Sequence, residues 1–179
     1  MLRSAPALLA AFTLLFAPGC GANSDGEAIA LRGSQITWLE PNDELDLGGP
    51  IPRDQPDTLY VLLGSDGRSC DDPFIESMVN DLDCSTFWRV ELALPPPRQT
   101  AGPIGLGSAE IANGFTRIRE DASGGCVVTG GAFTLGSLEI LSIDEQHVSL
   151  KIQGASNAGT GLPPPGFSPD GTYTAKRCP

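Results

Sequence analysis

Apolar positions along this chain recur mostly with a period of two, in short runs closed by glycine, proline, asparagine or aspartate. Residues 58–63 (TLYVLL) form a continuous apolar, β-branched and aromatic run, the pattern of a strand buried on both faces. Residues 87–94 (FWRVELAL) alternate instead. Trp88, Val90, Leu92 and Leu94 share one face, while Arg89 and Glu91 point the other way, and Pro95-Pro96-Pro97 ends the run. Residues 137–143 (SLEILSI) and 147–153 (HVSLKIQ) alternate on either side of Asp144-Glu145-Gln146, which predicts a hairpin. Further strands are expected at 34–40 (SQITWLE), at 115–120 (FTRIRE, more exposed), within 126–135 with Gly130-Gly131 as a bulge or turn, and at 172–178. Helical spacing occurs once. Asp72 and Pro73 read as N-cap and first helical residue, and Phe74, Ile75, Met78, Val79 and Leu82 follow on one face. The expectation is a single mostly-β domain, an antiparallel sandwich or small barrel of seven or eight short strands with one short helix.

The first 19 residues do not belong to that domain. Arg3 precedes an uncharged apolar stretch, residues 5–17, which is too short to span roughly 30 Å of hydrocarbon and is followed by Pro18 and Gly19. This is the build of an export signal. The junction Ala17-Pro18-Gly19-Cys20 resembles the lipobox of bacterial lipoproteins, in which a small residue precedes a cysteine that becomes acylated. The resemblance implies cleavage before Cys20, lipidation at Cys20, and an extracytoplasmic protein held in the cell envelope. It further implies an outer-membrane destination, because Gly21 rather than aspartate follows the cysteine. An ordinary secretory signal cut near Ala22 is the alternative, and it would discard Cys20. The expected organisation is a signal peptide at 1–19, a flexible tether at 20–33 and one β-rich domain at 34–179.

The cysteines bear on the same question. There are five, an odd number for an exported chain, and assigning Cys20 to lipid leaves Cys70, Cys84, Cys126 and Cys178. None forms a C-x-x-C pair and there is one histidine, so two disulfides are favoured over a zinc site. Of three possible connectivities, loop length favours Cys70–Cys84 with Cys126–Cys178: a short local loop, and a staple on the C-terminus.

Composition narrows the partners. The 22 glycines and 16 prolines make up about a fifth of the 179 residues, against an average of roughly 12%. That fits short strands joined by long loops, notably 41–57 and 157–171. Acids outnumber Lys and Arg by 22 to 11, giving a net charge of −11. Such a surface repels phosphate backbones, which excludes nucleic acid as a partner. The expected partners are the membrane, through the N-terminal lipid, and an envelope protein or glycan bound by the loops.

Candidate chemistry is sparse. His147 stands at the end of a turn beside Asp144 without a nucleophile motif, and Gly102, Gly105 and Gly107 read as a loop rather than a phosphate-binding turn. No catalytic residue and no cofactor is expected. The acids between 66 and 83 include Asp71, Asp72, Asp81 and Asp83, which are calcium candidates, since calcium takes six to eight oxygen ligands. The expected function is a lipid-anchored envelope protein with a non-catalytic structural or binding domain. A carboxylate-dependent envelope hydrolase and a calcium-binding surface module are the alternatives.

Overall fold

The computed structural model describes residues 28–35, 55–65, 69–71, 87–157 and 168–179. Nine strands form one curled, open sheet, a half-barrel: β1 Ile29–Arg32, β2 Leu59–Gly64, β3 Trp88–Leu94, β4 Gly102–Gly105, β5 Ala112–Glu120, β6 Cys126–Gly131, β7 Leu135–Ile143, β8 His147–Ser156 and β9 Gly171–Arg177. Their order is β4-β7-β8-β9-β1-β2-β3-β5-β6. All neighbours are antiparallel except β1 and β9, which run parallel with Ile29 opposite Lys176 and Ala30 opposite Arg177.

The mostly-β class holds, with differences in detail. The described residues hold nine strands rather than seven or eight, and the antiparallel pattern is broken at one seam. Among the described residues the helical elements are two 3-10 turns, Gly33–Gln35 and Pro96–Arg98. The helix expected between Cys70 and Cys84 lies outside the described residues. The chain enters the sheet at Ile29, inside the expected tether. Ser34 and Gln35, expected to open a strand, lie in a 3-10 turn, and 36–40 lie outside the described residues. Residues 102–105, read as loop, form edge strand β4. Pro103 is tolerated at an edge, where only one side needs backbone partners.

The inner face of the curl is the core. Val90, Leu92 and Leu94 meet Leu59, Val61 and Leu63 from β2, and Leu138, Ile140, Val148, Leu150 and Ile152 from the β7–β8 hairpin. Strand β2 is buried along its whole length, as its unbroken apolar run demands, with Ile29, Leu31 and Leu62 clustered on the outer side. Strands β7, β8 and β9 alternate buried and exposed positions and show one face to solvent. Strand β5 is less exposed than expected: Phe115 and Ile118 occupy opposite faces, and both are buried.

One polar side chain holds the curl. Asn113 of β5 is buried, and its Nδ2 donates to the carbonyls of Leu106 (2.7 Å) and Phe133 (3.2 Å). Its Oδ1 accepts from the Phe133 N–H at 2.7 Å. Leu106 follows β4 and donates its own N–H to the Gly136 carbonyl, so Asn113 links β5 to the segment that follows the opposite edge strand. The rings of Phe115 and Phe133 stack beside it, with centroids 4.9 Å apart.

Candidate functional site

The chemistry-bearing residues gather at the seam between β9 and β1 and at the adjoining β7–β8 turn. Cys178 directly follows β9. Its N–H donates to the Ala30 carbonyl and that of Lys176 to the Ala28 carbonyl, both at 2.9 Å. This places the Cys178 side chain beside Cys70, and the two are disulfide-bonded across 108 positions, with Cα atoms 5.2 Å apart. Both half-buried cysteines pack on Ile29, Leu31 and Leu62. Gln35 completes the clamp: its Nε2 donates to the carbonyls of Cys178 and Pro179, and its Oε1 accepts from the Arg32 N–H.

The favoured connectivity is thereby corrected. Cys70 bonds Cys178 rather than Cys84, so Cys178 does not bond Cys126. Cys126 opens β6 at one edge of the sheet, five strand positions from β9. Cys126 is itself disulfide-bonded, to a partner outside the described residues. Cys84 and Cys20 both lie outside them.

At the adjoining turn, Asp144 Oδ1 accepts the N–H groups of Gln146 and His147, each at 2.7 Å. These backbone hydrogen bonds hold its carboxyl below the usual value of 3.8. The His147 ring stands 4.0 Å away and is exposed. Asp144 therefore caps the turn through Oδ1, with the exposed His147 ring beside it. Arg177 ties the turn to β9, its Nη1 donating to the Asp144 carbonyl at 2.6 Å and its N–H to the Gln146 carbonyl at 2.7 Å.

Two more carboxylates have similar local duties. Asp121 Oδ1 accepts from the N–H groups of Ser123 and Gly125 in the β5–β6 turn. Asp170 accepts from the Gly154 and Ala155 N–H groups with its two oxygens, at 2.8 and 3.1 Å. Next to it, the Tyr173 hydroxyl donates to the Pro169 carbonyl, and burial together with the Asp170 charge pushes its pKa up to about 12.

The chain was compared with family models, curated proteins and solved structures. It matches none of them. Of the calcium candidates, Asp71 is exposed, and Asp72, Asp81 and Asp83 lie outside the described residues. Among the described residues, no three His, Cys, Asp or Glu side chains gather as a metal site would require, and no helix is long and apolar enough to cross a membrane. Most of the loops 41–57 and 157–171 also falls outside the described residues. Tyr60 is buried, and Trp88 and Tyr173 pack partly buried against the core.

Asn113 and Gln35 escaped the sequence reading. Asn113-Gly114 carries the signature of a turn, which obscured the strand running through it. The usable signal was parity: Asn113 lies two positions before Phe115 and so shares its inward face.

Proposed function

We propose that the mature chain is an envelope lipoprotein whose β domain serves a non-catalytic structural or binding role. In this reading, export is followed by cleavage before Cys20, acylation there, and retention at the outer membrane. The observation that carries it is the state of the cysteines. Cys70, Cys126 and Cys178 are disulfide-bonded, which is the chemistry of an oxidising compartment. An even set of bridged thiols draws one partner from Cys20 and Cys84 and leaves the other over. Lipidation gives Cys20 a use and pairs Cys84 with Cys126.

The sheet supports the same arrangement. Gly21 to Ala28 separate Cys20 from β1, a tether of at most about 28 Å at full extension, so the domain would sit close to the membrane that holds the lipid. Several acyl chains on one residue anchor stably, whereas one binds marginally.

The test is the intact mass of the protein from the membrane fraction, before and after reduction. A chain starting at Cys20 with added acyl mass and four hydrogens gained on reduction is the expected result, and Cys20→Ser should release the protein to the soluble fraction. An unacylated chain starting after Ala22 would overturn the anchor. Free thiols at Cys84 and Cys126 would overturn the pairing.

A further inference from the structure

Connectivity at the β9–β1 seam runs against chain statistics. In an unfolded chain, the chance that two thiols meet falls as about the −3/2 power of their separation. Cys84 is 14 positions from Cys70 and Cys178 is 108, so Cys70 meets Cys84 about twentyfold more often. Cys126, at 56 positions, is disfavoured about eightfold against Cys84. The bridge easiest to form at Cys70 is therefore not the native one. What brings Cys178 to Cys70 is the docking of the last strand beside the first, through Lys176 N–H to Ala28 and Cys178 N–H to Ala30. That pairing spans nearly the whole domain and forms late by the same closure argument.

We propose that this chain is a substrate for a thiol–disulfide isomerase, which moves Cys70 from a first bridge with Cys84 to its native bridge with Cys178. The first bridge forms as an oxidant of the disulfide class, glutathione disulfide or a protein dithiol oxidase, is reduced by two electrons and the Cys70 and Cys84 thiols lose two. A catalyst thiolate attacks Cys70 Sγ; the Cys70–Cys84 bond breaks and its electron pair leaves on Cys84. The Cys178 thiolate, delivered by β9, then attacks Cys70 Sγ and expels the catalyst thiolate. The exchange is redox-neutral. The freed Cys84 thiol and Cys126 then lose two electrons to a second equivalent of oxidant. Assigning this second bridge rests on the lipidation of Cys20; the transfer from Cys84 to Cys178 does not.

Trapping the intermediates tests this. The purified protein is reduced and unfolded, returned to native conditions in a glutathione redox buffer, and alkylated at intervals for peptide mapping. Among the first molecules with one bridge, Cys70–Cys84 should outnumber Cys70–Cys178 about twentyfold. Cys70–Cys178 should then replace it at a rate that rises with added isomerase. Earliest molecules carrying Cys70–Cys178 without a Cys70–Cys84 precursor would overturn the proposal. The Cys84→Ser/Cys126→Ser variant removes the competing partners, so added isomerase should speed formation of its Cys70–Cys178 bridge severalfold less than in the unaltered chain. Equal acceleration in the two would equally overturn it.

Discussion

Asn113 shows how much a single buried amide does in a curled sheet. Its side chain engages three backbone groups on two segments, and the Phe133 N–H has the Asn113 Oδ1 as its partner. Replacing Asn113 with alanine leaves that N–H and two carbonyls to find other partners in a buried site. The expected loss is about 2–4 kcal/mol, read from urea unfolding. Asn113→Asp keeps the acceptor but sets a carboxylate against two carbonyl oxygens, so it should be less stable at pH 7 than at pH 4. Equal stability at both values would mean that water reaches the site. Asp144 is the exposed counterpart. Its folded pKa is lowered, so its contribution is present above the unfolded value and is lost as pH falls through the folded one. Its carboxyl should titrate below 3.8 by NMR, with the Gln146 and His147 amide shifts moving in step. Asp144→Ala should speed exchange of those two amides, whereas Asp144→Asn, which keeps an acceptor, should preserve them.

At the scale of elements, legibility followed locality. The β7–β8 hairpin could be read because its alternation and turn lie within about twenty residues, and β2 and β3 because their apolar runs are unbroken or cleanly alternating. Strand β4 could not, since Ile104 is its one buried residue, set between glycines and beside a proline. Strand β1 was hidden for a different reason: Ile29–Arg32 gives four residues of pattern, and their partners on one side come from the far end of the chain. Nor does spacing disclose which cysteine a distant strand delivers to Cys70. Two glycines on the β7–β8 pair separate conformation from space. Gly136 has φ +108°, and a Cβ there would lie 2.8 Å from the Gly154 carbonyl oxygen and 2.9 Å from Ala155. Gly154 has φ +63°, and a Cβ there would meet open space. Gly136→Ala should therefore cost about 2–4 kcal/mol in thermal or urea unfolding, through strain and backbone contact together. Gly154→Asn should cost under about 1 kcal/mol, because asparagine tolerates the left-handed region. Similar losses at the two sites would show that β7 can shift to accept the extra atom.

For the whole molecule, the β9–β1 pairing divides the sheet into four strands on one side and five on the other. Strands β7 and β8 are joined by seven registered pairs, β2 and β3 by six, and β9 and β1 by two. The seam has few ladder bonds, and the Cys70–Cys178 bridge sits on it, with Gln35 clamping the last two carbonyls. A cross-link closing about a hundred residues stabilises by up to about 4–5 kcal/mol in the chain-entropy model. Cys70→Ser/Cys178→Ser should approach that loss, and the location of the loss is more informative than its size. If the seam is the weak line, amide exchange should accelerate first at Lys176 and Cys178, whose N–H groups donate to Ala28 and Ala30 across it, while the Arg177 amide, bonded to Gln146 on the other side of β9, and the amides between β7 and β8 stay protected. The Asn113 latch would then hold the two parts together after the seam has opened, and Asn113→Ala added to the double serine variant should cost more than the separate losses combined. Uniform acceleration across all nine strands would instead mean that the sheet unfolds as one cooperative unit and that the bridge stabilises it only by restricting the unfolded chain.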